Sequence, residues 1–209
     1  MARICLVVAH SAVTDRQARI SEIGLDEYGA SRRQTAMVQA MLHDAGHDTC
    51  LIDTPHRMYP GYLTEHVRLV NEAHRRADLD LAVEIHHNAG PAGTSGPYSM
   101  VLYYGEVGHA PQVRDLRHSE EGKKAASLVA WELERTCPWR SVGARPHEWT
   151  DRSLTFIEDT APPAIIVEPG FFEVDDETPP AELAWYSAQG LDLEAEAIGR
   201  AICKFAGEV

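Results

Sequence analysis

Three features are scarce or missing in this sequence, and each absence excludes a class of protein. The 209 residues contain four cysteines and no CxxC pair, which argues against a disulfide framework and against a cysteine-based zinc site. No apolar run approaches the ~18 residues of a membrane span, so we expect no membrane insertion. Basic residues are also few: 19 Lys and Arg stand against 32 Asp and Glu, which gives a net charge of −13. Nucleic acid and anionic lipid are therefore unfavourable partners, because both attract clustered positive charge.

The chain length and the N-terminus limit the organisation of the protein. Domains run to roughly 100–200 residues, so we expect one compact domain over residues 1–209 and no second folded module. Only Arg3 supplies a positive charge before the first apolar run, and that run is too short for a secretory signal peptide. We therefore expect synthesis in the cytoplasm without export by this route.

Short apolar runs alternate along the chain with segments of helical periodicity. Strands are predicted over residues 3–9, 48–52, 80–86, 99–104 and 164–168. Helices are predicted up to Gly46 and over about 63–77, 120–135 and 191–205. This alternation is typical of layered α/β domains. The predicted fold class is α/β, a single domain with a mostly parallel or mixed central sheet flanked by helices on both faces.

Three of the predicted strands end in residues that can carry chemistry. His10 follows the first strand, His86 ends the strand over 80–86 and is followed by His87, and Glu168 ends the strand over 164–168. Ligands of open α/β sheets bind just beyond the carboxyl ends of the strands, so parallel strands would bring these side chains to one crevice. Burying an unpaired carboxylate is unfavourable, so Glu168 needs a metal, a cation or a catalytic task. A metal site becomes a reasonable hypothesis.

Two assignments stay open on the residues alone. Glu27 precedes a helix, where a carboxylate also favours the helix dipole for purely structural reasons. Strand alternation places Glu84 and His86 on one face and His87 on the other, but both faces are covered by helices, so periodicity does not choose between the histidines. Other histidines in polar or helical contexts are expected at the solvated surface: His43, His47, His56, His66, His74, His109 and His118.

The residue types at these positions match a known catalytic chemistry. Two imidazoles and one carboxylate bind Zn²⁺ with an open fourth position for water or substrate. A separate carboxylate can take a proton from that water and return it to a leaving amine. His10, Glu27, His86 and Glu168 supply these parts, so the sequence predicts metal-assisted hydrolysis of an amide.

Four short motifs carry a resemblance to a known family. They are Ala9-His10-Ser11, Asp26-Glu27-Tyr28, Val83-Glu84-Ile85-His86-His87-Asn88-Ala89 and Ile165-Ile-Val-Glu168-Pro-Gly-Phe-Phe172. In this order they resemble the zinc-dependent N-acetylmuramoyl-L-alanine amidases of the Amidase_3 type, and among these the catalytic domains of phage endolysins. One departure is that many members have glycines around the first histidine, where this chain has Ala9, Ser11 and Ala12.

The resemblance implies a specific set of roles. One zinc ion would be held by His10, Glu27 and His86, and Glu168 would be the catalytic carboxylate. The substrate would be peptidoglycan, cut at the amide between the lactyl group of N-acetylmuramic acid and the L-alanine of the stem peptide. Zinc would polarise the lactyl carbonyl and activate water while Glu168 shuttles the proton. Glu84 and Asn88 are candidates for supporting the ligands or lining the rim, with ordinary strand-end solvation as the alternative.

The resemblance also implies a biological setting, and it leaves alternatives. The expected protein is a phage or prophage lysis enzyme consisting of one catalytic domain, without a separate cell-wall-binding domain, that reaches the wall through a membrane lesion. One alternative is a zinc hydrolase of similar fold that acts on a small N-acyl amino acid or peptide. Another is a non-catalytic wall-binding domain, against which the intact set of four polar residues argues.

Overall fold

The computed structural model describes residues 1–13, 19–58, 60–90, 97–105, 116–150, 154–173 and 180–209. Strands and helices alternate through these ranges, with short 3₁₀ turns at Ser21–Ile23 and His147–Thr150. The strands are β1 (Arg3–Val8), β2 (Arg19–Ile20), β3 (Leu25–Asp26), β4 (Asp48–Ile52), β5 (Leu81–Ile85), β6 (Asn88–Gly90), β7 (Tyr98–Tyr103), β8 (Arg140–Pro146), β9 (Ala164–Glu168) and β10 (Phe171–Glu173). The helices are α1 (Glu27–Asp44), α2 (Gly61–Ala77), α3 (Leu116–Thr136), α4 (Thr155–Asp159), α5 (Pro180–Ala188) and α6 (Gly190–Ala206).

The central sheet contains six strands in the order β4-β1-β5-β9-β7-β8. The first four strands are mutually parallel, whereas β7 pairs with β9 in the antiparallel direction, with Met100 opposite Glu168. β8 is parallel to β7, with Arg140 opposite Tyr98. The carboxyl ends of β1, β5 and β9 therefore share one edge of the sheet with the amino ends of β7 and β8.

Apolar side chains on the two faces of the sheet form two core layers. Leu6, Val83 and Ile165 face a layer completed by α1, α3 and α6, while Val7 and Ile166 face a layer completed by α2 and α4. Continuous apolar strands are expected where both faces are buried. The predicted mixed α/β sheet with helices on both faces is thus confirmed.

The sequence pattern predicted some elements and missed others for physical reasons. Strand β8 was not predicted, because it lies at the sheet edge, is only half-buried over most of its length, and has Gly143 with φ of 81° interrupting its alternation. Helix α1 begins well before its apolar periodicity, since its first turns bury polar side chains: Glu27, Ser31, Gln34 and Thr35. Helix α5 was also missed.

Two further expectations can be compared with the structure. The four cysteines are free thiols, in agreement with the absence of a disulfide framework. None of the helices in the described ranges combines the length and apolar character needed to cross a bilayer. The predicted loop from Gly90 to Pro97 falls largely outside the described residues, as does His109.

Candidate metal centre

His10 lies just beyond β1 in an unusual backbone conformation. Its φ of 61° is in the left-handed region, which costs a non-glycine residue on the order of 1–3 kcal/mol and is often found at functional sites. The preceding residue, Ala9, donates its N–H to the Ser31 hydroxyl of α1 at 2.8 Å. The His10 Nδ1 is hydrogen-bonded to the Tyr62 hydroxyl of α2 at 3.1 Å. Helix α1 thus anchors the backbone before His10, Tyr62 of α2 holds its ring through Nδ1, and Nε2 faces Glu27.

Glu27 is the first residue of α1, and its carboxylate points away from its own helix. The adjacent Asp26 caps the helix by accepting the N–H of Gly29 at 2.7 Å. The buried Glu27 Oε1 contacts His10 Nε2 at 2.8 Å and His86 Nδ1 at 3.2 Å, and accepts the backbone N–H of His87 at 3.2 Å. Because Asp26 performs the capping, the helix-dipole interpretation of Glu27 does not describe what its carboxylate does.

The structure separates His86 from His87. His86 follows β5, donates its backbone N–H to Val167 of the neighbouring β9 strand at 2.8 Å, and turns its ring towards Glu27. His87 faces the other core layer, where its Nε2 lies 3.1 Å from Glu194 Oε2 and its ring stacks on Phe172 with 4.2 Å between centroids. Strand alternation could not make this choice because neither face of the sheet leaves its histidine exposed, His87 being buried and His86 half-buried.

The three side chains form a donor set that suits a divalent metal ion. One ligand atom each from His10, Glu27 and His86 lies within 4.8 Å of the other two. The outer nitrogen of each imidazole is already held, Nδ1 of His10 by Tyr62 and Nε2 of His86 by Glu84 Oε2 at 3.1 Å. Metal-binding histidines are typically oriented by such a bond on the nitrogen that does not bind the metal. Two nitrogens and one oxygen are a donor set that Zn²⁺ accepts.

The carboxylates and imidazoles of the site shift each other's pKa values. Burial opposes ionisation of Glu27, but the hydrogen bonds and charges of His10 and His86 outweigh it and hold its pKa well below the ordinary value. Burial likewise opposes the charged form of His86, yet the charge of Glu84 and the bonds with Glu27 and Glu84 raise the pKa of this imidazole well above its usual value. The carboxylates thus favour positive charge at His86, and a metal cation would supply it in place of the imidazole proton.

Glu168 ends β9 beside this donor set. It lines a cavity of about 140 Å³ with Glu84 and His86. The other walls come from α2, β7, β9 and the start of α4, and they are apolar except for Thr155: Leu63, Leu102, Leu154, Thr155, Phe156 and Ile166. Burial raises the pKa of Glu168 to about 8, with a further increase from the Glu27 and Glu84 carboxylates and an opposing effect of His86. Its Oε2 is buried and has no hydrogen-bond partner among the described residues. This oxygen is available to a molecule that enters the cavity.

A buried polar chain lies behind His86. Glu84 Oε2 contacts His86 Nε2, and Glu84 Oε1 accepts from His66 Nδ1 at 2.8 Å. His66 Nε2 is in turn hydrogen-bonded to the Thr54 hydroxyl at 2.8 Å. His66 is fully buried, so the prediction of a solvated His66 was wrong. The signal was present in α2, where Tyr62, His66 and Val70 recur at four-residue spacing on its buried face.

Asn88 lies farther along the same edge of the sheet. It begins β6, donates its backbone N–H to Gly170 at 2.9 Å, and its side-chain amide lies 3.5 Å from the Tyr98 hydroxyl at the start of β7. The structure therefore places Glu84 directly behind a candidate ligand, and Asn88 near the beginning of β7.

An α/β sheet with a His–Glu–His donor set and a buried carboxylate oxygen at its carboxyl edge has the residue types that metal-assisted hydrolysis requires. Sequence comparison is more specific: the profile of the Amidase_3 family, described as N-acetylmuramoyl-L-alanine amidase, matches residues 4–203. The chain belongs to this family. The match confirms the family resemblance and supports hydrolysis of the amide between N-acetylmuramic acid and L-alanine in peptidoglycan.

Several solved structures have a similar fold. The N-acetylmuramyl-L-alanine amidase Ami1 from Mycobacterium smegmatis has 20% identity and a TM-score of 0.74, covering 100% of this chain and 98% of that one. An N-acetylmuramoyl-L-alanine amidase from Clostridium difficile 630 has 17% identity and a TM-score of 0.72, covering 98% and 96%. The catalytic domain of the CD27L endolysin targeting Clostridia difficile has 19% identity and a TM-score of 0.67, covering 98% of both chains. Comparison with curated protein sequences gives no significant match.

Proposed function

We propose that the protein is a zinc-dependent N-acetylmuramoyl-L-alanine amidase in which His10, Glu27 and His86 bind one zinc ion and Glu168 is the catalytic carboxylate. The observation that supports this most strongly is that three distant chain segments converge, with His10 and His86 both contacting the Glu27 carboxylate, beside a buried Glu168 oxygen without a partner in the described residues. Structural roles alone do not account for both features, because an unpaired buried carboxylate oxygen is destabilising.

Each residue has a defined task in the proposed reaction. Bound zinc supplies a Lewis acid that polarises the lactyl carbonyl and makes water more acidic. Glu168 accepts a proton from the attacking water and then delivers it to the nitrogen of L-alanine as the C–N bond breaks. Without the metal, burial holds the pKa of this carboxyl at about 8, and the positive charge of a bound zinc ion would favour the ionised form that accepts the proton. Tyr62 and Glu84 keep the two imidazoles in their orientation.

The dimensions of the cavity distinguish a polymer from a small substrate. Pockets that enclose whole small ligands usually measure roughly 300–1,000 Å³. The cavity here, about 140 Å³, has space for the atoms around one scissile bond, and no Lys or Arg is among the described residues that line it. An enzyme for small N-acyl amino acids would need both a larger enclosure and a cation for the free carboxylate. We therefore favour a substrate that extends beyond the cavity, as peptidoglycan does.

Digestion of purified peptidoglycan tests the proposed function. We expect new N-terminal alanine to appear, new reducing sugar ends to stay at background, and a chelator to stop the reaction until zinc is added back. Reducing ends as the main product, or cleavage that is indifferent to the chelator, would contradict the proposal. Intact peptidoglycan together with rapid hydrolysis of small N-acyl amino acids would favour the alternative enzyme.

We further propose that the protein acts in phage or prophage lysis, an idea supported by its fold similarity to an endolysin catalytic domain. Expression in a bacterial cytoplasm should then leave cells intact until the membrane is permeabilised, after which turbidity should fall rapidly. Lysis without permeabilisation would contradict this setting and leave the amidase chemistry unaffected.

Glu84 provides a test of the support behind the candidate zinc ligands. Its carboxylate accepts from two imidazoles, His66 and His86, whereas the amide of a Glu84→Gln variant offers one oxygen acceptor and one NH₂ donor. We expect zinc affinity to fall ~10- to 100-fold, the usual effect of losing a partner behind a metal-binding histidine. Competition with a chromophoric zinc chelator measures this affinity.

A matched control lies on the opposite face of the sheet. Glu194 is also fully buried and contacts His87 at 3.1 Å and Gln34 at 2.7 Å, without reaching the candidate ligands. Glu194→Gln should lower the melting temperature and leave zinc affinity unchanged. Equal zinc affinities in both variants and wild type would refute the role of Glu84.

A further inference from the structure

The first residues of β7 and β8 lie beside the candidate site. Met100 is opposite Glu168 in the antiparallel β7–β9 pair, and Tyr98 precedes Met100 by two residues. Tyr98 therefore lies just beyond the end of β9, and Arg140 is its direct neighbour on β8. Met100 and Ile166 belong to the core layer on the cavity side of the sheet, and Tyr98 packs against that layer. Tyr98 and Arg140 thus share the face and the edge of the sheet on which Glu168 is found.

Tyr98 is the centre of a cluster of residues from four chain segments. Its ring meets Phe171 edge to face with 4.7 Å between centroids, and its hydroxyl lies 3.5 Å from the Asn88 amide. The Arg140 guanidinium carbon lies 5.9 Å from the centre of the Tyr98 ring. Asn88 and Phe171 follow His86 and Glu168 by two and three residues, so the cluster is anchored on the chain segments that carry the proposed chemistry. We call these four residues the Tyr98 cluster.

Arg140 is an exposed cation in a protein with a net charge of −13. Arg32, Arg33, Arg68 and Arg200 pair with carboxylates, whereas within the described part of the chain no carboxylate lies within ion-pair distance of Arg140. A guanidinium held near an aromatic ring presents its planar donors in a fixed orientation, which matches the two oxygens of a carboxylate. Arg140 is therefore suited to an anionic group on a ligand.

The sheet geometry gives the distance between this cation and the reacting bond. Neighbouring strands are about 4.8 Å apart, and residues rise about 3.3 Å along a strand. Arg140 is two strands away from Glu168 and two residues farther along the strand direction, so the two backbone positions are ~12 Å apart. An extended peptide spans at most ~3.3–3.6 Å per residue, so ~12 Å corresponds to about three residues. The reach of the arginine side chain shortens this span to two or three.

We propose that the Tyr98 cluster is a subsite for the stem peptide, in which Arg140 binds a carboxylate carried by the second or third residue after the scissile amide. Tyr98 and Phe171 provide an apolar surface beneath the peptide, and the Asn88 amide is a hydrogen-bond donor for its backbone. The inference rests on the proposed function, because the stem peptide reaches this cluster only if its first amide lies beside Glu168. Arg140 would thus provide, outside the cavity, the positive charge for a substrate carboxylate that no described residue lining the cavity provides.

Synthetic muramoyl tripeptides test the subsite. One substrate carries free carboxylates at its second and third residues, and matched versions carry a carboxamide at either position. We expect wild-type kcat/KM to fall about tenfold when the bound carboxylate becomes a carboxamide, mainly through KM, since one charge-assisted hydrogen bond of this kind has about that effect. Arg140→Ala should lower kcat/KM for the carboxylate substrate by a similar factor and remove the preference, while Arg140→Lys should keep part of it.

Arg145 provides the matched control. It is exposed on the same strand and lies 5.9 Å from the ring of Trp149, yet it is opposite Leu102, towards the far edge of the sheet. Arg145→Ala should retain the wild-type preference, and an equal loss in both variants would refute the subsite. Wild-type cleavage of all substrates at equal rates would also refute the subsite while leaving the proposed function intact. Failure to cleave any of them at the muramoyl amide would refute the proposed function itself.

Discussion

Glu168→Gln should bind zinc as tightly as the wild-type protein and hydrolyse peptidoglycan ~100- to 10,000-fold more slowly, the usual contribution of a positioned acid–base group. The amide keeps the size of the side chain in the cavity but cannot accept a proton from water. Glu168 Oε2 has no hydrogen-bond partner in the described residues, so replacing this oxygen by an NH₂ group breaks no hydrogen bond among them. Burial of this carboxylate is itself unfavourable, as the raised pKa of about 8 shows, and a neutral amide relieves that cost. We therefore expect a melting temperature equal to or above that of the wild type.

Three measurements on Glu168→Gln separate a loss of catalysis from a loss of zinc or of folding. Release of N-terminal alanine reports the rate, metal analysis after dialysis reports zinc content, and thermal denaturation reports folding. Glu132→Gln, which alters an ion pair with Arg200 between α3 and α6, is a control for substitution of a distant carboxylate and should retain full activity. A Glu168→Gln variant that keeps more than about a tenth of wild-type kcat would show that another group transfers the proton.

His86→Ala should lose both zinc and activity. The substitution removes one of three proposed ligands and leaves the buried Glu84 carboxylate without one of its imidazole partners. Loss of a group behind a ligand weakens zinc binding up to ~100-fold, so loss of the ligand itself should have at least that effect. The same chelator competition that tests Glu84 measures the change, and peptidoglycan digestion should fall to background.

The neighbouring histidine is an internal control for this prediction. His87→Ala removes a buried imidazole that contacts Glu194 and stacks on Phe172 in the other core layer. With a chelator present, His87→Ala and His86→Ala should lower the melting temperature by comparable amounts. The zinc affinity of His87→Ala should stay close to that of the wild type. Zinc bound normally by His86→Ala and lost by His87→Ala would reverse the assignment of the two histidines.

The sequence predicted the elements in which burial leaves a simple pattern. Strands β1, β5 and β9 are continuous apolar runs because both of their faces are covered, and the residues that follow them are therefore conspicuous. That is how His10, His86 and Glu168 could be grouped before any geometry was known. Their roles as ligands and catalyst remain predictions for the experiments above.

Other features depend on tertiary contacts that leave no periodic signal. The antiparallel direction of β7 relative to β9 leaves no signal in the apolar run of either strand, so the sequence predicted only a mostly parallel or mixed sheet. The choice between His86 and His87 depends on Glu27 and Glu194, which are distant in sequence and meet the two rings from opposite sides. His66 was misjudged because a polar residue on a buried helix face looks solvated until its partners Thr54 and Glu84 are known.

The reversal of strand direction between β9 and β7 also bears on how such an enzyme changes over evolution. The residues proposed for bond cleavage lie at the carboxyl ends of β1, β5 and β9 and at the start of α1. Tyr98 and Arg140, in contrast, are the first residues of β7 and β8, which run in the opposite direction to β9. The two residues that begin the proposed peptide subsite thus lie on strands other than those that hold the proposed reacting groups, and Asn88 and Phe171 connect the two sets. Exchange of β7 and β8 between related enzymes should therefore transfer preference for a peptide while conserving the bond that is cut.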